Sequence, residues 1–327
     1  MIVSVIIPNY NGEKYLYECL TTLKQQTYQN FEVIMVDNAS IDRSIEVAQK
    51  LIPEIKCVLL EDNKGFSAAV NQGILQSEGQ YIVLLNNDTL LTKDWLQNLV
   101  CCIQNNEKVF SCASKMLQYH NNEFIDNAGD AFTIFGWAYQ EGHGRSENEF
   151  TKNRPIFTAC AGAAIYRREV FDKIGYFDER FFAYLEDVDI GYRARIEGYQ
   201  NIYCSNSIIY HIGSATTGNG YNSIKVKLSA RNNVYLLYKN MIWFQILLNA
   251  PFLLVGHLFK YYFYKRIGFE KEYLSGIKEG LKNRKLIDKK KFEPRKSVNY
   301  FKIQGWLLVK GVIYGSIKIR KMLNKIK

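Results

Sequence analysis

Short apolar, β-branched runs alternating with helix-spaced segments constrain this chain more than any other feature. Val3 to Ile7 is stopped by Pro8, and Phe31 to Val36 by Asp37-Asn38; between them, Glu13 to Gln26 carries Leu16, Cys19, Leu20 and Leu23 at helical spacing. After this βαβ unit the pattern predicts a helix over Asp42 to Leu51, an apolar run Lys56 to Leu60, a helix over Ser67 to Gln76 and a strand Tyr81 to Leu85. Such alternation predicts an α/β fold, with a mostly parallel central sheet and helices on both faces. Ligands of such sheets lie beyond the carboxyl ends of the strands. The loops Pro8–Gly12, Asp37–Ser40, Glu61–Phe66 and Asn86–Thr89, crowded with Asn, Asp and Gly, are therefore expected on one rim.

Beyond Leu90 the alternation weakens. A helix near Trp95 to Gln104 precedes an irregular Gly- and Asn-rich stretch from Asn121 to Asn153 and a small-residue segment, Ala159 to Ala164. A helix from about Glu186, ended by Gly198, then leads to a strand Ile202 to His211 and a Gly/Ser/Thr loop, Gly213 to Gly220. The reading divides the chain into a first domain, 1–225, and a basic helical region, 226–327.

Composition excludes several classes. With 327 residues, 47% apolar and only 5 Pro, the chain is not a disordered or fibrous one. Its 7 Cys are odd in number and lack CxxC spacing, which argues against a disulfide scaffold or zinc knuckle and fits a reducing compartment. The opening MIVSVIIPNYNG has no basic residue before Lys14 and too short an apolar core for a signal peptide, so a cytoplasmic location is expected. The net charge of +10 is asymmetric: from Arg231 onward, 22 Lys and Arg face 5 Asp and Glu (+17), against 20 and 27 before it (−7).

Three polar groups could carry chemistry. Asp88 follows a buried strand and could hold a hard divalent cation, which needs few protein ligands when substrate phosphates share it; Asn87-Asp88 also suits a plain turn. Glu186-Asp187-Val188-Asp189 opens a helix, where the helix dipole alone favours acidic residues. The crowding of these carboxylates beside Phe177, Phe181, Phe182 and Tyr184 would raise a pKa towards general-base range. His211 ends an apolar strand, a place that suits a structural hydrogen bond or, together with Asp88, a metal.

In order along the chain, Val3 to Gly12, Val36 to Ser40, Asn63 to Ser67, Leu84 to Thr89 and Tyr184 to Asp189 resemble the family 2 glycosyltransferases of GT-A fold, most closely the bacterial rhamnosyltransferase-like branch. Each motif is weak alone, but five in order are specific. The resemblance implies a Rossmann-like GT-A domain over roughly residues 1–230. It implies that Pro8, Tyr10 and Asn11 line a nucleotide-base pocket and that Asp37 accepts from base or ribose. Asn63 to Asn71 would cover the donor, with Gly65 allowing close backbone approach and Asn71 near the sugar nucleotide. The family's DxD motif stands here as Asn86-Asn87-Asp88, so its first carboxylate is missing. By resemblance, Asn87 and Asp88 meet the donor, Asp88 and His211 hold Mn²⁺ or Mg²⁺, and Asp187 is the catalytic base with Glu186 beside it.

The basic region bears on the partner. Asn240 to Phe259 lacks any charged side chain and is flanked by Lys239, Lys260, Lys265 and Arg266. Spanning and buried helices are both conceivable by length. The interruptions at Gln245, Asn249, Pro251 and Gly256 and the doubly basic flanks favour a segment that dips into or lies on the cytoplasmic leaflet. Near the end, Phe301, Leu308, Val312, Ile319, Leu323 and Ile326 share one helical face and Lys310, Lys318, Lys321 and Lys325 another. That pattern reads as a membrane-associating amphipathic helix, and no nucleic-acid motif accompanies the charge.

The expectation is an inverting, metal-dependent hexosyltransferase on the cytoplasmic face of the cell membrane. It would move rhamnose or a similar hexose from a nucleotide-diphosphate sugar to a lipid-linked or oligosaccharide acceptor in cell-surface polysaccharide synthesis. The alternative is a membrane-attached sugar-nucleotide or glycan-binding protein without catalysis.

Overall fold

Along β1 (Val3–Asn9), Val3, Val5 and Ile7 enter one hydrophobic core and Ile6 enters another, because successive strand side chains point to opposite faces. The computed structural model describes residues 2–213 and 220–326, with 318–326 as backbone. In the first core, Leu16, Cys19, Leu20 and Leu23 of α1 (Glu13–Lys24) and Ala48 of α2 (Ser44–Leu51) cover β1 and β2 (Phe31–Asp37). On the other face, Ala69, Val70 and Ile74 of α3 (Gly65–Leu75) meet Ile6, Ile34 and Val36. With β3 (Lys56–Leu59) and β4 (Tyr81–Leu85), these strands pair in parallel in the order β3-β2-β1-β4.

Beyond β4 the sheet becomes mixed. It continues through β11 (Ala163–Arg167), β6 (Val109–Gln118), β12 (Gln200–His211) and β10 (Arg154–Ile156). The short β5 (Thr89–Leu91) joins β12, which pairs His211 with Thr89, and β7 (Asn121–Asn127) joins β6. Three helices cover this half: α4 (Trp95–Gln104), α5 (Arg168–Ile174) and α6 (Glu186–Ile196).

The stretch Asn121 to Asn153, expected to be irregular, holds three strands: β7, β8 (Asp130–Phe132) and β9 (Ala138–Gln140). The apolar signal is faint because β7, between β6 and the 144–147 segment, exposes Asn121 to Phe124 and leaves Ile125 as its buried apolar side chain. Of the expected loop Gly213 to Gly220, residues 214–219 lie outside the described residues.

The basic region forms four helices: α7 (Ser223–Asn240), α8 (Trp243–Arg266), α9 (Glu270–Asn283) and α10 (Ser297–Ile326). The division near residue 225 falls inside α7. A third core joins this region to the sheet domain, placing Tyr235, Leu236, Met241, Tyr300 and Leu307 among Phe132, Phe157, Phe181 and Tyr192.

The amphipathicity of α8 is inverted. Gln245, Asn249 and Gly256 face inward, and Asn249 and Gln304 exchange side-chain hydrogen bonds of 3.0 and 2.7 Å. Trp243, Leu247, Leu248, Leu254, Leu258 and Phe259 are exposed, as are Phe301, Leu308 and Val312 on α10. Among the described residues, α8 is the one helix long and apolar enough to cross a membrane. Lys310, expected on an outward basic face, instead turns inward and pairs with Glu141. The side chains of Ile319, Leu323, Ile326, Lys318, Lys321 and Lys325 lie outside the described ones.

Candidate functional site

The carboxyl ends of β1, β2 and β4 are tied together by side chains. Asn9 Nδ2 donates to Asp37 Oδ1 at 2.9 Å, while Asn9 Oδ1 accepts from Asn87 Nδ2 at 2.7 Å. A Cβ on Gly12 would lie 2.1 Å from Asn87 Nδ2 and 2.2 Å from Asn9 Oδ1, so only glycine leaves room for this link. Ser40 closes the network: its hydroxyl donates to Asp37 Oδ1 at 2.6 Å and its N–H to Oδ2 at 2.9 Å. A carboxylate offers about four lone-pair sites, so this network leaves the buried Asp37 one acceptor position unused.

Pro8 and Tyr10 are half-buried beside this network. Asn11 takes a left-handed backbone (φ 51°); its N–H donates to Ser40 Oγ at 2.8 Å and its Oδ1 accepts from the N–H of Ile41 at 2.9 Å. Asn38 Nδ2 reaches the Gly65 carbonyl at 3.3 Å, which brings the Asn63–Gly65 loop to the same rim. Asn63 Oδ1 accepts from the Gly65 N–H at 3.0 Å.

Two residues differ from their expected use. The space beside Gly65 (φ 84°) is taken by Phe182, 2.6 Å from where a Cβ would stand, so its close approach is to the protein's own chain. Asn71 is buried: its Nδ2 donates to the Phe177 carbonyl at 2.8 Å and Glu179 Oε1 at 3.0 Å, and its Oδ1 accepts from the Phe177 N–H at 3.1 Å. It locks α3 to the loop before α6, which commits both its amide hydrogens to the protein itself.

Asp88 and His211 converge, because β5 runs antiparallel along the end of β12. His211 Nε2 lies 3.5 Å from Asp88 Oδ1, and its Nδ1 lies 2.8 Å from Asp126 Oδ2. Burial would lower the imidazole pKa, but the hydrogen bonds and charges of Asp126 and Asp88 outweigh it and raise it to about 10. Burial likewise opposes ionisation of Asp126, yet His143 and His211 hold its carboxyl well below the usual range. A carboxylate behind one ring nitrogen, with the other nitrogen facing a second carboxylate, is the arrangement that orients a metal-ligating histidine. Without a cation, the raised pKa of His211 describes an imidazolium between two carboxylates; a divalent cation at Asp88 would have to displace the Nε2 proton, with Asp126 holding the ring in place.

The acidic residues that open α6 divide by environment. Asp189 is fully buried and held by Arg193 at 2.8 Å, Lys239 at 3.1 Å and Asn240 at 2.8 Å. Burial would raise its carboxyl pKa, but Arg193, Lys239 and Asn240 bring it down to about 2. Glu186 is buried, its Oε2 has no partner among the described residues, and desolvation with the Asp187 charge pushes its pKa well up. Desolvation also lifts Asp187, against backbone N–H bonds from Val188 and Ala161, to about 6.

Asp130 and Cys160 complete this corner: ligand atoms of Asp130, Cys160 and Asp187 all lie within 4.8 Å of one another. Burial, then the Asp187 charge, pushes Asp130 well up. Neighbouring carboxyls in different environments hold their protons with different strength, which is how acid and base roles are separated in a site.

The peptide leading into this corner is strained. Phe182, Tyr184 and Leu185 have φ of 62°, 74° and 68°, each costing on the order of 1–3 kcal/mol for a non-glycine residue. The fully buried Asn232 of α7 counters this, with Nδ2 2.8 Å from the carbonyls of Phe181, Ala183 and Tyr184. The sequence reading missed Asn9, Asp126, His143, Asp130, Cys160 and Asn232. A polar residue ending an apolar strand signalled Asn9; Asp126, Asp130 and His143 sat in the stretch taken as irregular.

Residues 4–175 match the family described as "Glycosyl transferase family 2", a span that includes Asp37 and Asp88 and ends before Asp187 and His211. The chain is 29% identical over 190 residues to glycosyltransferase GlyG of Streptococcus pneumoniae, covering 55% of this chain and 62% of GlyG, so it spans about three fifths of that relative. In fold it is similar to the mannosyltransferase PcManGT of Pyrobaculum calidifontis in complex with GDP-Man and Mn²⁺ (TM-score 0.56, 15% identity, 97% of this chain and 84% of that one). It is also similar to residues 1–349 of Staphylococcus aureus TarS in complex with UDP-GlcNAc (TM-score 0.54, 21% identity, 77% and 70%). At these identities the likeness is one of GT-A fold.

Proposed function

This chain belongs to glycosyl transferase family 2, and from that premise we propose that it transfers a hexose, rhamnose or a similar sugar, from a nucleoside diphosphate sugar to an acceptor hydroxyl, with inversion. The observation that carries the reading is one site holding three functions. The Asn9–Asp37–Ser40 network can accept from base or ribose, Asp88 and His211 can hold a cation, and Asp187 can take a proton.

Bound between Asp88 and His211, Mn²⁺ or Mg²⁺ would neutralise charge on the diphosphate leaving group. Asp126 keeps the His211 ring in place through Nδ1. Asp187, ionised above about pH 6, removes the acceptor hydroxyl proton as that oxygen attacks the anomeric carbon. A single displacement needs no covalent intermediate and inverts the anomeric centre. Burial and the Asp187 charge push the carboxyls of Glu186 and Asp130 up, which favours their neutral forms beside Asp187.

The reading extends to a lipid-linked or other membrane-borne glycan acceptor at the cytoplasmic leaflet, in cell-surface polysaccharide assembly. It is supported by the outward apolar faces of α8 and α10 within a region of net charge +17. The test is turnover with dTDP-rhamnose, UDP-galactofuranose, UDP-glucose, UDP-N-acetylglucosamine and GDP-mannose, each with Mn²⁺ or Mg²⁺, read by product mass. Hydrolysis or transfer of one donor supports the enzyme; donor binding without turnover supports a binding protein instead.

A further inference from the structure

Arg193 and Arg195 lie on the same helix in opposite electrostatic conditions. Arg193 is paired with Asp189 at 2.8 Å. Arg195 has no carboxylate partner among the described residues: its Nε donates to the Phe157 carbonyl at 2.8 Å, its Nη2 to that of Ile156, and its guanidinium lies 4.3 Å from the Trp306 ring centroid. Two of the guanidinium's five N–H groups are thus used on carbonyls. Burial alone brings its pKa down to about 10, the response of a cation taken out of water without an anion.

This guanidinium borders a cavity of about 640 Å³ between α10 and the end of α6, lined also by Tyr199, Asn299, Lys302, Trp306 and Lys310. Glu141 answers the charge of Lys310. Lys302 is exposed, with no ion-pair partner among the described residues. Two positive charges therefore face the cavity without a counter-charge. Nothing lies within 4 Å of where a Gly305 Cβ would stand, so the cavity is open there, and Val309 on its edge is exposed beside Leu308 and Val312.

We propose that this cavity binds the anionic phosphate of a membrane phospholipid headgroup, held by Arg195 and Lys302, with the acyl chains passing over Val309 onto the apolar face of α10. A planar fork of N–H donors matches phosphate oxygens, and continuity with an apolar helix face favours a lipid over a soluble anion. The inference rests on the reading that this region meets a membrane. It sets which face of the protein lies on the leaflet, and hence how the donor rim is presented to an acceptor.

The experiment uses the full chain, pelleted with vesicles of phosphatidylcholine alone or with added phosphatidylglycerol, alongside thermal melts with glycerol phosphate. Lys302→Glu and Arg195→Gln are compared with Lys282→Glu, the same charge reversal as Lys302→Glu placed on α9; Lys302 is exposed, so its variant keeps the test should Arg195→Gln fail to fold. One basic residue near an anionic surface is worth on the order of 1 kcal/mol, about fivefold in affinity. Lys302→Glu is expected to weaken phosphatidylglycerol-dependent pelleting at least about fivefold more than Lys282→Glu. Equal loss in both variants, with pelleting otherwise intact, overturns the site and leaves the membrane reading standing. Wild-type protein that never pellets overturns both. Stabilisation by glycerol phosphate that Lys302→Glu abolishes, with no difference on vesicles, replaces the lipid by a soluble phosphate ester.

Discussion

The side-chain amide of Asn232, on α7, stands 2.8 Å from the carbonyl oxygen of Tyr184, three positions before Asp187. The same nitrogen meets the carbonyls of Phe181 and Ala183, and Arg231 reaches those of Arg180 and Phe181 at 3.1 and 3.0 Å. A helix of the basic C-terminal region therefore fixes the peptide that aims the proposed base. Asn232→Ala should leave the part-buried Ala183 and Tyr184 carbonyls short of a donor, since Arg231 still reaches that of Phe181, and cost about 1–3 kcal/mol of stability. At a temperature where the variant stays folded, kcat should fall with the donor KM nearly unchanged, because the donor network of Asn9, Asp37 and Asn87 is untouched. Equal changes in kcat and KM would show a general loss of structure instead.

Metal binding offers a second check. Asp88→Ala should abolish metal-dependent donor binding in calorimetry. Asp126→Asn should weaken metal affinity by about 10–100-fold through the orientation of His211. Normal Mn²⁺ and donor binding by Asp88→Ala would place the cation elsewhere, the neighbourhood of Asp130 and Asp187 being the alternative.

Asp189 should matter for stability and not for proton transfer. Removing its charge leaves Arg193 and Lys239 buried without their shared anion, a change that costs about 3–5 kcal/mol in comparable buried pairs. Its folded pKa of about 2 lies below the model-peptide value of 3.8, so its contribution is fully present above pH 3.8 and fades as pH falls towards 2. Denaturant titrations of wild-type protein and Asp189→Asn should converge on acidification through that window; a constant gap down to pH 2 would contradict the assignment.

The apolar surface of α8 can be tested without truncation. A cut near residue 230 would remove Asn232, Lys239 and Asn240, all of which hold the loop before α6 or Asp189 itself. Leu247, Leu254 and Leu258 are 66%, 62% and 47% exposed, so changing all three to Gln should leave the melting temperature unchanged. Sedimentation with anionic vesicles should fall sharply, and the remaining binding should be released by salt, because only the electrostatic part is screened. Undiminished, salt-resistant pelleting would show that α8 is not the contact.

The parallel half of the sheet was legible because Val3, Val5, Ile6 and Ile7 are buried on both faces and leave a continuous apolar run. The mixed half was less so. β7 has exposed Asn121, Asn122 and Glu123, and no periodicity marks it. Motif spacing pointed to Asp88, Asp187 and His211, but not to Asp126, 85 positions before its histidine, or to Asn232 in a helix that looked like tail. Asn71 misled because a polar residue in a helix near the donor loop reads the same whether it bonds a ligand or, as here, the backbone of Phe177.

As the proposed base, Asp187 should act on the acceptor while other residues hold the donor. The most direct test is Asp187→Asn, assayed for transfer across pH and, by calorimetry, for donor binding. Wild-type kcat should rise with pH through about 6, as the half-buried carboxyl loses its proton, and then level off. The variant should bind donor as wild type does while transfer drops by about 10²-fold or more. Turnover near the wild-type level, or an unchanged acidic limb in the variant, would contradict the account and move the role to another carboxylate.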